Sequence, residues 1–281
     1  MATGVGQRRA RGRPRSSPDE APQGTVQALD RSLYLLRTLA KTGSGTLTDL
    51  ALAAGIPAST AHRILATLQK HDFVEFDTTT QAWTVGVETF RVGSAFVQRT
   101  NVVDASRDVM RQLADDLGET ANLGLCHAGA VVFIAQAEGH NPIRAFFRPG
   151  TRGPLHASGI GKALLATMAR HEVTAHLKSE GLPAFTPKTL TAPSDLFAEL
   201  ERIRSRGYAL DDEERYLGMR CVAAPVFNTF GEAVAGLSVS GPTVRFPDEG
   251  LAEVGAKIRR AALTVTDRIG GTAPSAAPMG A

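Results

Sequence analysis

Hydrophobic residues recur every three or four positions between Thr46 and Lys70, and a Gly-Ile-Pro turn interrupts the pattern. After the turn, one apolar stripe at helical spacing is formed by Ala61, Ile64, Leu65 and Leu68. Before the turn, Thr46 and Asp49 have the spacing of an N-terminal capping box, and Gly55 followed by Pro57 ends that helix. The pattern therefore predicts two short helices around a tight turn.

The polar face of the second predicted helix carries hydroxyl, imidazole and basic side chains. An arginine there can pair with a guanine edge or a phosphate, and hydroxyls near the helix start can bond phosphate oxygens. This arrangement is typical of a helix-turn-helix that reads DNA. The candidate DNA-contacting residues are Ser59, Thr60, His62, Arg63, Thr67 and Lys70.

The segments on either side of this helix pair predict a complete winged helix. Upstream, the apolar stripe expected to bury a third helix consists of Leu29, Leu33, Leu36 and Ala40. Downstream, residues 73–76 and 82–85 read as short strands around a polar turn, which indicates a two-stranded wing. We therefore predict a DNA-binding domain over 25–85, followed by a linker helix over 86–102.

The hydrophobic pattern changes after about residue 103, where short β-prone runs alternate with helical segments. The predicted strands cover 121–126, 130–136, 143–147, 208–210, 221–227 and 233–240. The predicted helices cover 159–170, 196–203 and 251–269. The fold class is therefore α+β, with an N-terminal winged helix-turn-helix, a sensor-like α/β domain over 103–270, and a disordered tail over 271–281.

The 281-residue chain has a formal net charge of +3, and its positive charge is concentrated near the N-terminus. Five arginines precede the first acidic residue, at positions 8, 9, 11, 13 and 15. Residues 11–15, Arg-Gly-Arg-Pro-Arg, resemble an AT-hook, whose arginines enter the minor groove of A·T-rich DNA. A disordered basic tail over 1–24 is the alternative, and either arrangement would add salt-dependent DNA affinity.

The sequence favours a binding protein over an enzyme or a secreted protein. Gly-x-Ser-x-Gly, phosphate-loop and His-Glu-x-x-His motifs are missing, so we expect no catalytic residue, metal or cofactor. With two cysteines, no charged-then-apolar leader and no apolar run of membrane length, we expect a cytoplasmic protein. Because Cys126 lies beside His127, which could lower the pKa of its thiol, a redox sensor remains an alternative.

Four segments in the second half of the chain resemble, in order, the effector domain of the IclR family of bacterial transcription regulators. These segments cover 155–163, 206–214, 218–226 and 237–242, and residues 49–68 resemble the DNA-binding segment of the same family. The resemblance implies a GAF-like effector-binding domain and dimers that pair into tetramers. It also implies that a small organic acid modulates binding to double-stranded, partly palindromic operator DNA.

The resemblance is strongest to glyoxylate-responsive members of the family. In those members a small 2-oxo acid is held by two backbone N–H groups, an aspartate, a cysteine and two serines. Carried onto this chain, the effector-binding residues are Gly159, Ile160, Asp211, Cys221, Ser238 and Ser240. The apolar wall would come from Ala145, Met219 and Leu237. An aromatic acid is the alternative effector, and both repression and activation are compatible with these parts.

The chemistry of these residue types fits an anionic ligand. N–H groups at the start of a helix attract a carboxylate. Ser238 and Ser240 are two positions apart on a predicted strand, so both hydroxyls face the same side. Asp211 can lie beside an anion if it is protonated or accepts a hydrogen bond from the ligand. That requirement favours a hydrated aldehyde such as glyoxylate.

Overall fold

The computed structural model describes residues 26–99, 102–141 and 147–274. Contacts between Cα atoms divide the chain into a unit up to residue 96 and a unit from residue 97 onward. The predicted basic tail, with its AT-hook-like segment over 11–15, lies outside the described residues, as do residues 275–281 of the predicted C-terminal tail. Within the described ranges, no helix is long and apolar enough to cross a membrane.

The N-terminal unit is a winged helix-turn-helix, as the sequence predicts. Its elements are α1 (Gln27–Thr42), β1 (Ser44–Thr46), α2 (Leu47–Ala54), α3 (Ala58–Lys70), β2 (Val74–Asp77) and β3 (Ala82–Val85), and α4 (Val87–Arg99) follows. The strands form an antiparallel sheet in the order β1-β3-β2. The predicted wing is β2 and β3, and β1 is a third strand that the sequence pattern does not indicate.

Local signals in the sequence set the ends of α2 and the start of α3. The Thr46 hydroxyl accepts the backbone N–H of Asp49 (3.3 Å), which caps the start of α2. Gly55 ends α2 in a left-handed conformation with φ of +64°, and Pro57 stands immediately before α3. The predicted helix-turn-helix is therefore confirmed at its turn.

The predicted orientation of α1 is wrong. Leu35 and Leu39 are fully buried in the core of this unit, whereas Leu29 and Leu33 are 57% and 50% exposed and Leu36 is half-buried. Because α1 carries apolar residues on two sides, helical periodicity cannot identify the side that meets the core. The stripe expected to be buried lies mostly on the surface of the unit.

The C-terminal unit is an α+β domain, which confirms the predicted fold class. Its elements are α5 (Val102–Leu117), β4 (Thr120–His127), β5 (Ala130–Ala137), β6 (Arg152–Pro154), α6 (Gly159–Leu165), α7 (Arg170–Glu180), α8 (Pro193–Arg206), β7 (Ala209–Asp212), β8 (Met219–Phe227), β9 (Ala233–Pro242) and α9 (Leu251–Arg268). The strands form one antiparallel sheet in the order β6-β5-β4-β9-β8-β7. The strands predicted over 221–227 and 233–240 are confirmed as β8 and β9, which pair directly as an antiparallel hairpin.

Helices contact both faces of this sheet. One face packs against α5 and α9 through residues that include Ala121, Leu123, Leu237 and Val239. The opposite face contacts α6. Gly236 permits that contact, because a Cβ atom there would lie 2.7 Å from the Ile160 side chain. The two faces therefore have different environments, and the predicted effector residues belong to the α6 side.

Three predictions for the C-terminal unit need correction or completion. The predicted helix over 159–170 begins at Gly159 as expected, but its predicted end is wrong. The helix α6 ends at Leu165, near which the Thr167 hydroxyl donates to the Leu164 carbonyl (2.7 Å), and α7 begins at Arg170. The sequence patterns did not predict α5, although its buried residues, among them Val102, Val109 and Leu113, recur at helical spacing. The predicted strand over 143–147 lies outside the described residues except for Phe147, which is not in a strand.

Candidate functional site

The polar face of α3 is open to solvent. Of the six candidate DNA-contacting residues, Thr60 is half-buried and five are exposed: Ser59, His62, Arg63, Thr67 and Lys70. The opposite face of the helix packs into the core of the N-terminal unit. The helix end preceding Ser59 is also available, because Pro57 offers no side-chain acceptor to the first N–H groups of α3.

Thr67 has a second role within the helix. Its hydroxyl donates to the Arg63 carbonyl (2.8 Å), so part of its hydrogen-bonding capacity is used locally. The Arg63 and Lys70 side chains are exposed, so they can contact a phosphate or a base edge. The arrangement presents a basic, hydroxyl-bearing helix surface to a partner.

Three predicted effector residues lie side by side across the sheet of the C-terminal unit. In the strand register Asp211 pairs with Cys221, and Cys221 pairs with Ser240. Directly paired residues of an antiparallel sheet point to the same face, and Ser238 shares that face because it is two residues from Ser240. Both serines are almost fully buried. We call Asp211, Cys221 and Ser240 the polar row.

The start of α6 lies directly against this polar row. A Cβ atom at Gly159 would lie 2.8 Å from the Cys221 sulfur, so glycine is required for the close approach. The Ser158 hydroxyl caps the helix by accepting the Gly161 N–H (3.1 Å). The N–H groups of Gly159 and Ile160 stand in the first helical turn and lack carbonyl partners within the helix. The fold thus brings the six predicted effector residues to one place.

A cavity of about 60 Å³ opens beside the polar row and the start of α6. Its polar lining includes all three residues of the polar row. Its apolar lining includes Ile160, Met219 and the stacked rings of Phe133 and Phe147, whose centroids are 4.7 Å apart. Since one water needs roughly 10–15 Å³ of such space, the volume suits a molecule of about five non-hydrogen atoms.

Asp211 lines the cavity, and the buried acid Glu214 and the buried lysine Lys162 lie close to Asp211. Burial raises the pKa of Asp211 to about 6, although Lys162 and the Glu214 N–H, which donates to the Asp211 carboxylate (2.8 Å), act in the opposite direction. Burial likewise raises the pKa of Glu214 to about 7, against the charge of its ion-pair partner Lys162. The ammonium group of Lys162 also donates to the Leu210 carbonyl (2.6 Å). These contacts tie α6 to the segment that carries Asp211.

Neither cysteine has the environment of a reactive thiol. Burial and the charge of Asp211 raise the pKa of Cys221 to about 11. Partial burial raises the pKa of Cys126, with the charge of Arg152 opposing it, so the expected lowering by His127 is wrong. Because the thiolate is the reactive form, these shifts disfavour the redox alternative.

The predicted apolar wall is only partly in place. Met219 lines the cavity, but Leu237 points to the opposite face of the sheet, into the core beside α5 and α9. The alternation along β9 explains this correction, because Leu237 has the opposite parity to Ser238. Ala145 lies outside the described residues.

Sequence reasoning missed several polar residues around the site. Lys162 stands within the apolar run from Ile160 to Leu165, and a lone charge in such a run is the signal that could have identified it. Glu214, its partner, carries no comparable signal. His156, which precedes α6, is buried with Nε2 3.0 Å from the Pro183 carbonyl oxygen. The described part of the chain contains no cluster of metal-ligand type.

An exposed DNA-reading helix and a separate domain with a buried polar cavity define a two-domain transcriptional regulator. Comparison with known families identifies the family of this regulator. Residues 28–78 match the IclR helix-turn-helix domain, and residues 94–267 match the C-terminal domain of bacterial IclR transcriptional regulators. The chain belongs to the IclR family.

Similar proteins extend over nearly the whole chain. The transcriptional regulator BhcR of Paracoccus denitrificans is 48% identical, covering 90% of this chain and 92% of its own length. The acetate operon repressor of Salmonella typhimurium is 40% identical, and the match covers 93% of this chain and 97% of that protein. The crystal structure of IclR from Thermotoga maritima superposes with a TM-score of 0.72 at 30% sequence identity. The superposition covers 86% of this chain and 98% of the Thermotoga chain. These relatives are regulators, so the family supports the prediction of a protein that is not an enzyme.

Proposed function

We propose that this IclR-type regulator binds a small carboxylate in its C-terminal domain, most simply glyoxylate or a related 2-oxo acid. The observation that carries the proposal is the polar row of Asp211, Cys221 and Ser240 beside a cavity of about 60 Å³. Hydrated glyoxylate has six non-hydrogen atoms, which agrees with that volume. An aromatic acid has about twice as many atoms and would require the cavity to enlarge.

The proposed ligand contacts follow from the chemistry of the site. The carboxylate accepts the N–H groups of Gly159 and Ile160, which have no carbonyl partners in the first turn of the helix. The hydroxyls of Ser238 and Ser240 bond the remaining oxygens. Asp211 either accepts from a hydroxyl of the hydrated aldehyde or, when protonated, donates to an oxygen of the ligand. Its raised pKa supports the second role, because the protonated acid removes the repulsion between two anions.

One relative is named for the operon of a small acid, which agrees with the proposed ligand class. The Salmonella protein is named for an acetate operon, and acetate and glyoxylate are both two-carbon acids. That relative is also named a repressor, so we expect ligand-controlled repression from this chain.

The N-terminal unit supplies the proposed operator contacts, through Ser59, Thr60, His62, Arg63, Thr67 and Lys70. We also propose that its exposed apolar side chains form a homodimer contact. Leu29 and Leu33 on α1, with Phe90 (75% exposed) and Val92 (56% exposed) on α4, support this assignment. Dimers pairing into a tetramer, and a cytoplasmic location, complete the proposal by analogy with the family.

Regulation in this proposal is a coupling free energy between two sites. The ligand favours one arrangement of the DNA-reading units, and operator DNA favours another. Because such coupling is reciprocal, DNA must weaken or strengthen ligand binding by the same factor.

Calorimetric titration of the full chain with glyoxylate, pyruvate and 4-hydroxybenzoate tests the proposal. The comparison variant is Ser238→Ala/Ser240→Ala, and the matched control is Ser179→Ala/Ser194→Ala, which removes two exposed hydroxyls of the same unit. We expect glyoxylate or pyruvate binding in the wild type and the control, with loss in the Ser238/Ser240 variant. Binding of 4-hydroxybenzoate alone would contradict the proposed effector while leaving the family intact.

A further inference from the structure

A group of buried polar atoms beside the polar row has no hydrogen-bond partner. Across the described residues, seven buried side-chain nitrogen and oxygen atoms lack partners, and five of them belong to four residues. These are the hydroxyls of Thr120 and Ser238, both amide atoms of Asn122, and the amide nitrogen of Gln136. Unpartnered buried polar atoms are rare in native proteins, so five in one place require an explanation.

The strand register places these four residues together. Asn122 pairs directly with Gln136 on β5 and with Ser238 on β9, and Thr120 pairs with Ser240. Directly paired residues point to the same face of an antiparallel sheet, so Thr120 and Asn122 lie on the face that carries the polar row. We call Thr120, Asn122 and Gln136 the inner cluster.

The inner cluster adjoins a residue that lines the cavity. Ser240 lines the cavity and is the direct partner of Thr120, while Ser238 and Asn122 form the next row of side chains, roughly 7 Å along the strands. A ligand that reaches both Ser240 and Ser238 therefore extends toward Asn122. Both the Thr120 and the Asn122 side chains are fully buried.

The fold satisfies comparable buried hydroxyls elsewhere in the same unit. The Thr266 hydroxyl donates to the Ala262 carbonyl (2.9 Å) and accepts the Phe227 N–H (3.1 Å). The Ser106 hydroxyl donates to the Val103 carbonyl (2.9 Å). The missing bonds are thus concentrated on the face of the effector site. Leaving a buried amide unpaired costs about 1–3 kcal/mol, whereas an apolar residue of similar shape would avoid that penalty.

We infer that Asn122 is a further effector-binding residue, which with Thr120 and Gln136 forms the inner end of the site and selects acids that carry a second oxygen group. This inference rests on the proposed function and names residues outside its contact set. The amide nitrogen of Asn122 donates to a ligand oxygen, and its carbonyl oxygen accepts from a ligand hydroxyl. A hydrated 2-oxo acid offers both, whereas acetate offers only its carboxylate.

The test measures ligand affinity and thermal stability in the same full-length variants. Asn122→Leu introduces a side chain of similar shape without polar atoms. Asn122→Ala leaves more space, so a loss of binding seen only in the leucine variant would indicate steric exclusion of the ligand. The control, Thr266→Val, removes a buried hydroxyl whose bonds are satisfied on the other side of the sheet.

We expect both Asn122 variants to weaken glyoxylate binding about 10–100-fold, the range for losing hydrogen bonds to a charged ligand. Acetate binding should be unchanged in Asn122→Ala. The melting temperature of Asn122→Leu should equal or exceed that of the wild type, because two unsatisfied atoms are removed. Thr266→Val should show the reverse, a lower melting temperature with unchanged affinity.

Unchanged glyoxylate affinity in Asn122→Ala would overturn the inference and leave the proposed function standing. Failure of the wild type to bind any of the acids would instead overturn the proposed function. In that case the stability measurement decides the role of Asn122. A lower melting temperature in Asn122→Leu would show that its amide is structural, and an equal or higher one that it serves a ligand of another class; the selection of acids by Asn122 is overturned in both cases.

Discussion

The two units of this chain handle their polar residues in opposite ways. In the described part of the N-terminal unit every buried side chain is apolar, and the candidate DNA contacts project from the outside of α3. The C-terminal unit buries Lys162, Asp211 and Glu214 together, along with many uncharged polar residues. A reader of DNA needs charge at its surface, whereas a binding site for a small acid needs polar groups inside a largely dry cavity. Changes to buried groups should therefore have unlike effects in the two units.

The largest effect is expected at the buried ion pair of the C-terminal unit. Lys162→Met leaves Glu214 without its partner, which should lower the free energy of unfolding by about 3–5 kcal/mol. Trp83, the single tryptophan, lies in the N-terminal core, so its fluorescence follows that unit alone. The midpoint of chemical denaturation followed by circular dichroism should shift to lower denaturant concentration. The midpoint followed by Trp83 fluorescence should not shift. Lys188→Met, at a solvent-exposed ion pair, is the control and should change little.

Next in size is the effect of a cavity in the N-terminal core. Leu65 is fully buried, and Leu65→Ala should lower the free energy of unfolding of that unit by about 2–4 kcal/mol. Here the Trp83 fluorescence transition should move. Leu52→Ala, at a residue that is 82% exposed, should leave it in place. Equal shifts for both variants would contradict the assignment of the core.

The buried acids predict a pH dependence confined to the C-terminal unit. Burial gives Asp211 and Glu214 folded-state pKa values of about 6 and about 7, above the ordinary values of 3.8 and 4.5 for these side chains. The folded state therefore binds more protons between about pH 4 and 7, and these groups lower stability as pH rises through that window. The size is on the order of 1 kcal/mol for each pKa unit.

The pH effect is measured as a difference between the wild type and Asp211→Asn/Glu214→Gln. The subtraction is needed because burial lowers the pKa of His156, which makes the fold less stable as pH falls. Relative to the variant, the wild type should lose stability between pH 5 and pH 7.5, a range spanning both raised pKa values. A constant difference across that range would show that neither acid titrates as described.

The smallest effect is expected from one surface contact. Arg63→Ala should weaken DNA binding about tenfold, toward the lower end of the range for losing an arginine contact. Ligand binding and both unfolding transitions should stay unchanged, because Arg63 is exposed. Arg37→Ala, which removes an exposed arginine from α1, is the matched control for net charge. Equal losses in both variants would mean that overall charge, not the α3 surface, governs binding.

Sequence patterns predicted the elements whose signals are local. The cap at Thr46 and the glycine end at Gly55 fixed α2, and alternation fixed the shared face of Ser238 and Ser240. Local signals failed where a choice depended on tertiary contacts. The apolar residues on two sides of α1 left its buried side ambiguous, and the resemblance placed Leu237 in the wall although its parity on β9 directs it away.

The polar interior of the C-terminal unit was the least predictable part. Lys162 and Glu214 are 52 positions apart, and only the packing of α6 against β7 brings them together. Asn122 reads as an ordinary polar residue in a strand until the register pairs it with Ser238. Such sites depend on long-range register, which composition and periodicity do not encode.

The central claim is that a small acid in the C-terminal unit controls DNA binding by the N-terminal unit. The most direct test is fluorescence anisotropy of a duplex enriched by the wild-type protein from a random pool, titrated with protein in the presence and absence of glyoxylate. We predict that glyoxylate shifts the apparent Kd for DNA by about fivefold or more in the wild type and not in Ser238→Ala/Ser240→Ala. A shift that persists in the serine variant, or no shift in the wild type, would contradict the account.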